Sequence, residues 1–496
     1  MRCKPPLVLA ILILCSLVFI VGCGGTGGSS ASNLSTPPAT NPSSPGGSSS
    51  QPGSGSAGSG SGSAGSSSGG SSSGGSTSSG GGSTSGGGSS SGSGSGSGST
   101  GGTAQGGFAE TKSPIPFAGQ MLAADFNHDG RPDLLIYGSS LSVSLNNGAG
   151  NFSAAIPVSL PAPYSLVSQV ALADFNADGY TDVAACVNSG DATAAAAAVF
   201  LNDHSGKLIL GQVIPAPAAC KGIAAGDANR DGKADLALTY YTGSLTSPVN
   251  AIATWFGDGA GHFASPVTQS NVALSATEDE TMDPCSVAAA TGADFDGDGT
   301  LDLVVFGACQ SYVINPGVIY FARGDGTGHY SLTEITESTT SVYGSPYVKD
   351  INGDGKPDLV FIEAQYGPHA STDEEILFAI NNGSGQLAIT PVAAESSYAS
   401  SGSHIRAGSP LNGMGTAVEG FLDVPCCASV TYGVKLVSQG TSDAAHTWTY
   451  GQSTSSLPGE VTGIASGDFD GNGAQDFAVA ERDANNSSTL HVYLSK

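Results

Sequence analysis

Residues 125–133, DFNHDGRPD, place oxygen-bearing side chains at the first, third, fifth and ninth positions (Asp125, Asn127, Asp129 and Asp133), with glycine at the sixth. Such a donor set suits a hard cation, which gathers oxygens around a tight bend that glycine permits. The chain repeats it five times. DFNADGYTD supplies Asp174, Asn176, Asp178 and Asp182; DANRDGKAD supplies Asp227, Asn229, Asp231 and Asp235. DFDGDGTLD supplies Asp294, Asp296, Asp298 and Asp302; DINGDGKPD supplies Asp350, Asn352, Asp354 and Asp358; DFDGNGAQD supplies Asp468, Asp470, Asn472 and Asp476. At the seventh position stand Arg131, Tyr180, Lys233, Thr300, Lys356 and Ala474, which share no side-chain chemistry, so their expected donor is the backbone carbonyl. The twelfth position never holds the glutamate of an EF-hand, so the ninth-position aspartate is expected to complete the shell.

Asn/Asp-rich bends also form without an ion. Charge argues for one here: six loops hold nineteen of the chain's 41 acids, against a net charge of −26. Carboxylates so close repel unless a cation neutralises them, and the sequence predicts about six structural Ca²⁺ ions. The same acidity argues against nucleic acid or an anionic membrane surface as the main partner.

The elements around the loops read as strands. Short apolar runs such as DLLIYG and DLVVFG follow the ninth position, too short for helices. Farther on come SLNNGAGNF, FLNDHSGKL, WFGDGAGHF, FARGDGTGHY and FAINNGSGQL, each a strand, a Gly/Asn/Asp turn and a strand, which reads as a β-hairpin. One unit is thus a four-stranded antiparallel sheet with the acidic loop between its first two strands.

These loops and hairpins resemble the FG-GAP/VCBS repeats that build the β-propeller of integrin α subunits, over nearly all of residues 107–496. The resemblance implies an all-β propeller with Ca²⁺ in the first loop of a blade. First aspartates are 49, 53, 67 and 56 residues apart, and then 118 separate Asp350 from Asp468, room for a blade without a loop. The count gives seven four-stranded blades, with Asp423 expected near the lost first ligand. Residues 106–117 look like a strand that follows a hairpin turn, so the N-terminal strand is expected to complete the last blade and close the ring. In that register Cys285 and Cys309 lie on paired strands and Cys186 and Cys220 on neighbouring blades, both candidate disulfides; Cys426 and Cys427 form a vicinal pair or two free thiols.

The N-terminus carries Arg2 and Lys4, about fifteen apolar residues, and Ile20-Val21-Gly22-Cys23. That stretch resembles the lipobox of bacterial lipoproteins, which implies a signal peptide over 1–22, lipidation of Cys23 and, with Gly24 following, attachment to the outer membrane. Residues 23–106 are nearly all glycine and serine and read as a disordered tether.

Long connections are expected on the face opposite the acidic loops. They offer Tyr240, Tyr241, Glu278, Asp279, Tyr366, His369, Tyr398 and His404 as a ligand-binding surface. Arg323-Gly324-Asp325 spells a tripeptide that integrins bind, but its hairpin setting explains it by turn chemistry; His262 and His329, equivalent in their hairpins, are expected to cover apolar surface. No zinc motif, phosphate loop or catalytic triad is found. The sequence therefore predicts a monomeric, non-enzymatic binding or adhesion module for a glycan or protein. The alternatives are a propeller lyase or hydrolase of extracellular polysaccharide, and a scaffold subunit of an envelope complex.

Overall fold

The chain separates into two units, Met1–Gly96 and Ser97–Lys496. The computed structural model describes residues 102–103, 108–190, 194–275, 284–309, 317–338, 340–366, 372–391, 404–411, 416–423, 431–439 and 448–495. The signal segment, Cys23, most of the tether, Glu278, Asp279, His369, Tyr398, Cys426 and Cys427 lie outside these residues.

Six sheets each have four antiparallel strands that follow one another in chain order. The first blade comprises Gln120–Ala124, Asp133–Tyr137, Leu141–Ser144 and Ile156–Val158; the second Tyr164–Ala173, Asp182–Ser189, Ala195–Asn202 and Leu208–Ala216. The third comprises Cys220–Gly226, Asp235–Ser244, Ser247–Trp255 and Val267–Ser270; the fourth Cys285–Ala293, Asp302–Cys309, Gly317–Gly324 and Tyr330–Ser338. The fifth comprises Thr340–Lys349, Asp358–Tyr366, Thr372–Asn381 and Leu387–Pro391; the sixth His404–Leu411, Thr416–Asp423, Thr431–Gln439 and Trp448–Leu457. The expectation of seven four-stranded blades is corrected here, because six blades have that form. The remaining sheet joins the two ends of the chain and has five strands, Glu460–Gly467, Asp476–Arg482, Ser488–Leu494, Ala109–Pro114 and Gly102–Thr103. The N-terminal strand pairs antiparallel with Ser488–Leu494, and its outer edge, otherwise unpaired, takes Gly102–Thr103 as an extra strand.

Apolar side chains fill the space between neighbouring sheets. In Asp133–Tyr137 and Asp182–Ser189 every residue is buried, because the second strand of a blade is covered on both faces. Leu135, Val143 and Phe126 of the first blade meet Val183, Ala196 and Phe200 of the second in one cluster.

Two disulfides are formed. Cys285 and Cys309 face each other across the first two strands of the fourth blade, and Cys186–Cys220 ties the second blade to the third with Cα atoms 5.7 Å apart. The sixth blade corrects the reading of Asp423. In the other blades the acidic loop precedes the second strand, whereas Asp423 ends that strand and pairs with Thr431. Asp423 therefore lies at the opposite end of its strand from the place that the acidic loops take in the other blades.

Candidate metal centre

Each acidic loop is held by the same ladder of side chain to backbone hydrogen bonds. In the fourth loop Asp294 accepts from the amides of Asp298 (3.0 Å) and Gly299 (2.9 Å), Asp296 from Asp298 (3.1 Å), and Asp298 from Thr300 (2.9 Å). The pattern recurs with Asp125, Asn127 and Asp129; with Asp174, Asn176 and Asp178; and with Asp227, Asn229 and Asp231. It recurs again with Asp350, Asn352 and Asp354, and with Asp468, Asp470 and Asn472. These are Asx turns laid end to end. They force the sixth residue to φ of 78–90°, and a Cβ there would meet no neighbour within 4 Å, so backbone conformation alone requires glycine.

The ninth-position aspartates are pins. Asp133, Asp182, Asp235, Asp302, Asp358 and Asp476 are fully buried. In each, one oxygen accepts from the amide of the loop's second residue, as from Phe126 and Phe295. The other accepts from an amide at or just past the end of the sheet's third strand, at Asn146, Asn202, Gly257, Gly324, Asn381 and Ser495. Burial pushes the carboxyls of Asp133, Asp182, Asp235 and Asp302 up to about 6, against the pull of their amide donors. Asp358 and Asp476 shift upward for the same reason.

The donor chemistry fits a hard cation. In the fourth loop and in the loop of the seventh, five-stranded sheet (the seventh loop), which alone carry an acid at the third position, oxygens of Asp294, Asp296 and Asp302, and of Asp468, Asp470 and Asp476, lie within 4.8 Å of one another. Seventh-position side chains turn instead to the fifth-position acid. Arg131 approaches Asp129 at 3.2 Å, Lys233 approaches Asp231 at 3.8 Å, and Lys356 approaches Asp354 at 3.2 Å. Thr300 donates its hydroxyl to Asp298. Tyr180 stacks between His128 of the first loop and His204, whose Nε2 is 2.9 Å from Asp178. Ala474 has no side chain to offer.

Two groups escaped the sequence reading. The second loop residue is apolar in all six loops, and Phe126, Phe175, Ile351, Phe295, Phe469 and Ala228 are all buried. Their shared apolarity beside the first aspartate was the available signal. Hairpin asparagines are the other group. The Nδ2 groups of Asn202 and Asn381 donate 2.7 Å bonds to the carbonyls of Phe126 and Phe295, and that of Asn146 donates a 3.1 Å bond to Phe469, each in the preceding sheet.

Of the proposed ligand surface, Tyr240 is buried within the third blade and Tyr241 is half-buried, with the Lys221 ammonium 5.4 Å from its ring centre. Tyr366 and His404 sit in strands. The connections expected to carry Tyr240, Tyr241 and Tyr366 are in part paired strands, since pairing runs on to Ser244 with Ser247 and to Tyr366 with Thr372. His262 and His329 do not cover apolar surface; they are exposed, beside Asp258 (3.4 Å) and Thr327 (3.2 Å). The Arg-Gly-Asp triplet is absorbed into the fourth blade. Arg323 pairs with Asp296, the Gly324 amide donates to Asp302, and Asp325 caps the hairpin turn through Thr327 and His329.

A family model described as an FG-GAP-like repeat matches residues 125–185 and 294–361. No curated protein matches the chain in sequence. Among solved structures, one described as a new family of polysaccharide lyase, PL25 ulvan lyase, is 11% identical with a TM-score of 0.45, covering 76% of this chain and 95% of that one. Another, the Dos1 propeller, is 10% identical with a TM-score of 0.42, covering 78% and 96%. The first of these corrects the expectation of a non-enzymatic protein, since a chain of similar layout is described as a lyase. At this level of likeness it brings neither activity nor substrate to this chain.

Proposed function

We propose, from the premise that this chain is a β-propeller carrying FG-GAP-like repeats, that it is an exported, lipid-anchored scaffold whose acidic loops take Ca²⁺ and whose surface binds a glycan or protein. The observation that carries the reading is the sixfold recurrence of one oxygen-lined turn with the same internal hydrogen bonds. Residues at the first, third, fifth and ninth positions would hold the ion. When bound, Ca²⁺ would supply the positive charge that the clustered carboxylates lack. The chain's own groups do the rest: backbone amides fix the carboxylates in place, and the buried ninth-position aspartate couples each loop to the end of its sheet's third strand.

The anchor rests on the lipobox-like Ile20-Val21-Gly22-Cys23, and a long glycine-serine tether would let the propeller reach a partner away from the membrane. Calorimetric melting of metal-stripped protein with and without added Ca²⁺ tests the first part; an unchanged melting temperature would sink it. Glycan-array binding and a polysaccharide panel scored for turnover test the second. Metabolic labelling with a fatty-acid analogue, lost on Cys23→Ala, tests the anchor.

A further inference from the structure

The fourth loop carries acids at all four side-chain positions, Asp294, Asp296, Asp298 and Asp302, and it also receives two guanidinium groups from outside itself. Arg230, at the fourth position of the third loop, reaches Asp298 Oδ2 at 2.9 Å. Arg323, on the strand entering the fourth blade's own hairpin, lies 2.5 Å from Asp296 Oδ2 and 3.6 Å from Asp298 Oδ2. The Asp296 side chain is only 2% exposed while that of Arg323 is 56% exposed, so the guanidinium lies over the acid as a cover. Its contact with Asp296 is a charge pair without the alignment of a hydrogen bond, which leaves this buried oxygen able to exchange partners.

The seventh loop is the natural comparison. It shares the acid at the third position, and among the described residues no arginine or lysine is paired with Asp468, Asp470 or Asp476. Counting acids alone ranks the fourth loop as the stronger cation site.

We infer that Arg323 is a resident counter-ion of the fourth loop: it competes with a divalent cation for Asp296, so the fourth loop binds Ca²⁺ more weakly than the seventh despite its additional carboxylate. This rests on the reading of the loops as cation sites. Arg323 thereby sets the loop's affinity for a cation, and the arginine of the Arg-Gly-Asp triplet has an inward role. It also lets the fourth loop keep its shape before any ion arrives.

The test is a Ca²⁺ titration by calorimetry on the metal-stripped full chain and its variants. Asp470→Asn and Asp296→Asn identify the events of the seventh and fourth loops as the ones that each weakens, and the event weakened by Asp470→Asn should be the tighter of the two. Arg323→Gln should tighten one event by on the order of tenfold, as expected for removing one nearby positive charge at a partly exposed site. Arg131→Gln, whose side chain contacts Asp129 of the first loop, should leave the events of the fourth and seventh loops unchanged. The inference is overturned if the event that Asp296→Asn weakens is the tighter of the two, or if a folded Arg323→Gln gives the native isotherm. Should Arg323→Gln fail to fold, the Asp470→Asn and Asp296→Asn pair decides on its own. Absence of Ca²⁺ binding in both the native chain and Arg323→Gln would overturn the cation reading itself, a result distinct from binding that ignores Arg323.

Discussion

At the scale of single residues, the ninth-position aspartate separates two jobs that the sequence merges. Its spacing marks it as a ligand, but its burial and its two amide partners make it first a structural acceptor. Asp302→Asn exchanges one acceptor oxygen for an NH₂ facing a backbone donor and is expected to cost about 2–3 kcal/mol in chemical denaturation, even without Ca²⁺. Asp129→Asn, on an exposed acid, should cost far less in the same experiment. Burial sets the pH behaviour too. Because the folded carboxyls of Asp133, Asp182, Asp235 and Asp302 sit near 6, above an ordinary value of 3.8, the folded chain holds protons that the unfolded chain releases. Their contribution is therefore greatest below about pH 4 and is lost as pH rises through about 6. Metal-stripped protein should lose melting temperature across that window, and Ca²⁺, which favours the ionised form, should restore it progressively; a stripped protein that gains stability over the same range would refute this.

At the scale of elements, the loops and hairpins were legible because their residues recur with fixed offsets, while the contacts between sheets were not. Nothing in FLNDHSGKL announces that Asn202 reaches the carbonyl of Phe126, since the partner lies 76 residues away and both groups have ordinary local uses. Asn202→Ala leaves that buried carbonyl without its donor and should cost about 1–3 kcal/mol, read from denaturant midpoints; Asn382→Ala, in an exposed turn, serves as the control and should cost little. The sixth blade shows the opposite failure. Without an acidic loop to set its phase, the sixth blade misleads: Asp423 falls at the wrong end of its strand, and His404, expected on a long connection, lies in the blade's first strand. Extended hairpins such as Tyr241–Asn250 were hidden for a related reason, because serine, threonine and glycine suit both a turn and an exposed strand end.

At the scale of the whole described unit, closure depends on Ala109–Pro114 lying against Ser488–Leu494. The joint carries a polar cluster: His491 is buried, with Glu110 2.9 Å from one ring nitrogen and Glu481 2.7 Å from the other, and burial of Glu110 is outweighed by His491 and Lys112, which hold its carboxyl below the usual range. A chain starting at residue 115 would bare the Ser488–Leu494 edge, and it should self-associate in size-exclusion chromatography where the longer chain elutes as a monomer; addition of a peptide spanning 102–116 should reverse this. Glu110 and His491 are 381 residues apart, so Ala109–Pro114 finds its partner only once Ser488–Leu494 has been made. Until then the growing polypeptide exists as an open arc with a raw margin, and any delay before Ser488–Leu494 is made prolongs the interval in which that margin can recruit a stranger.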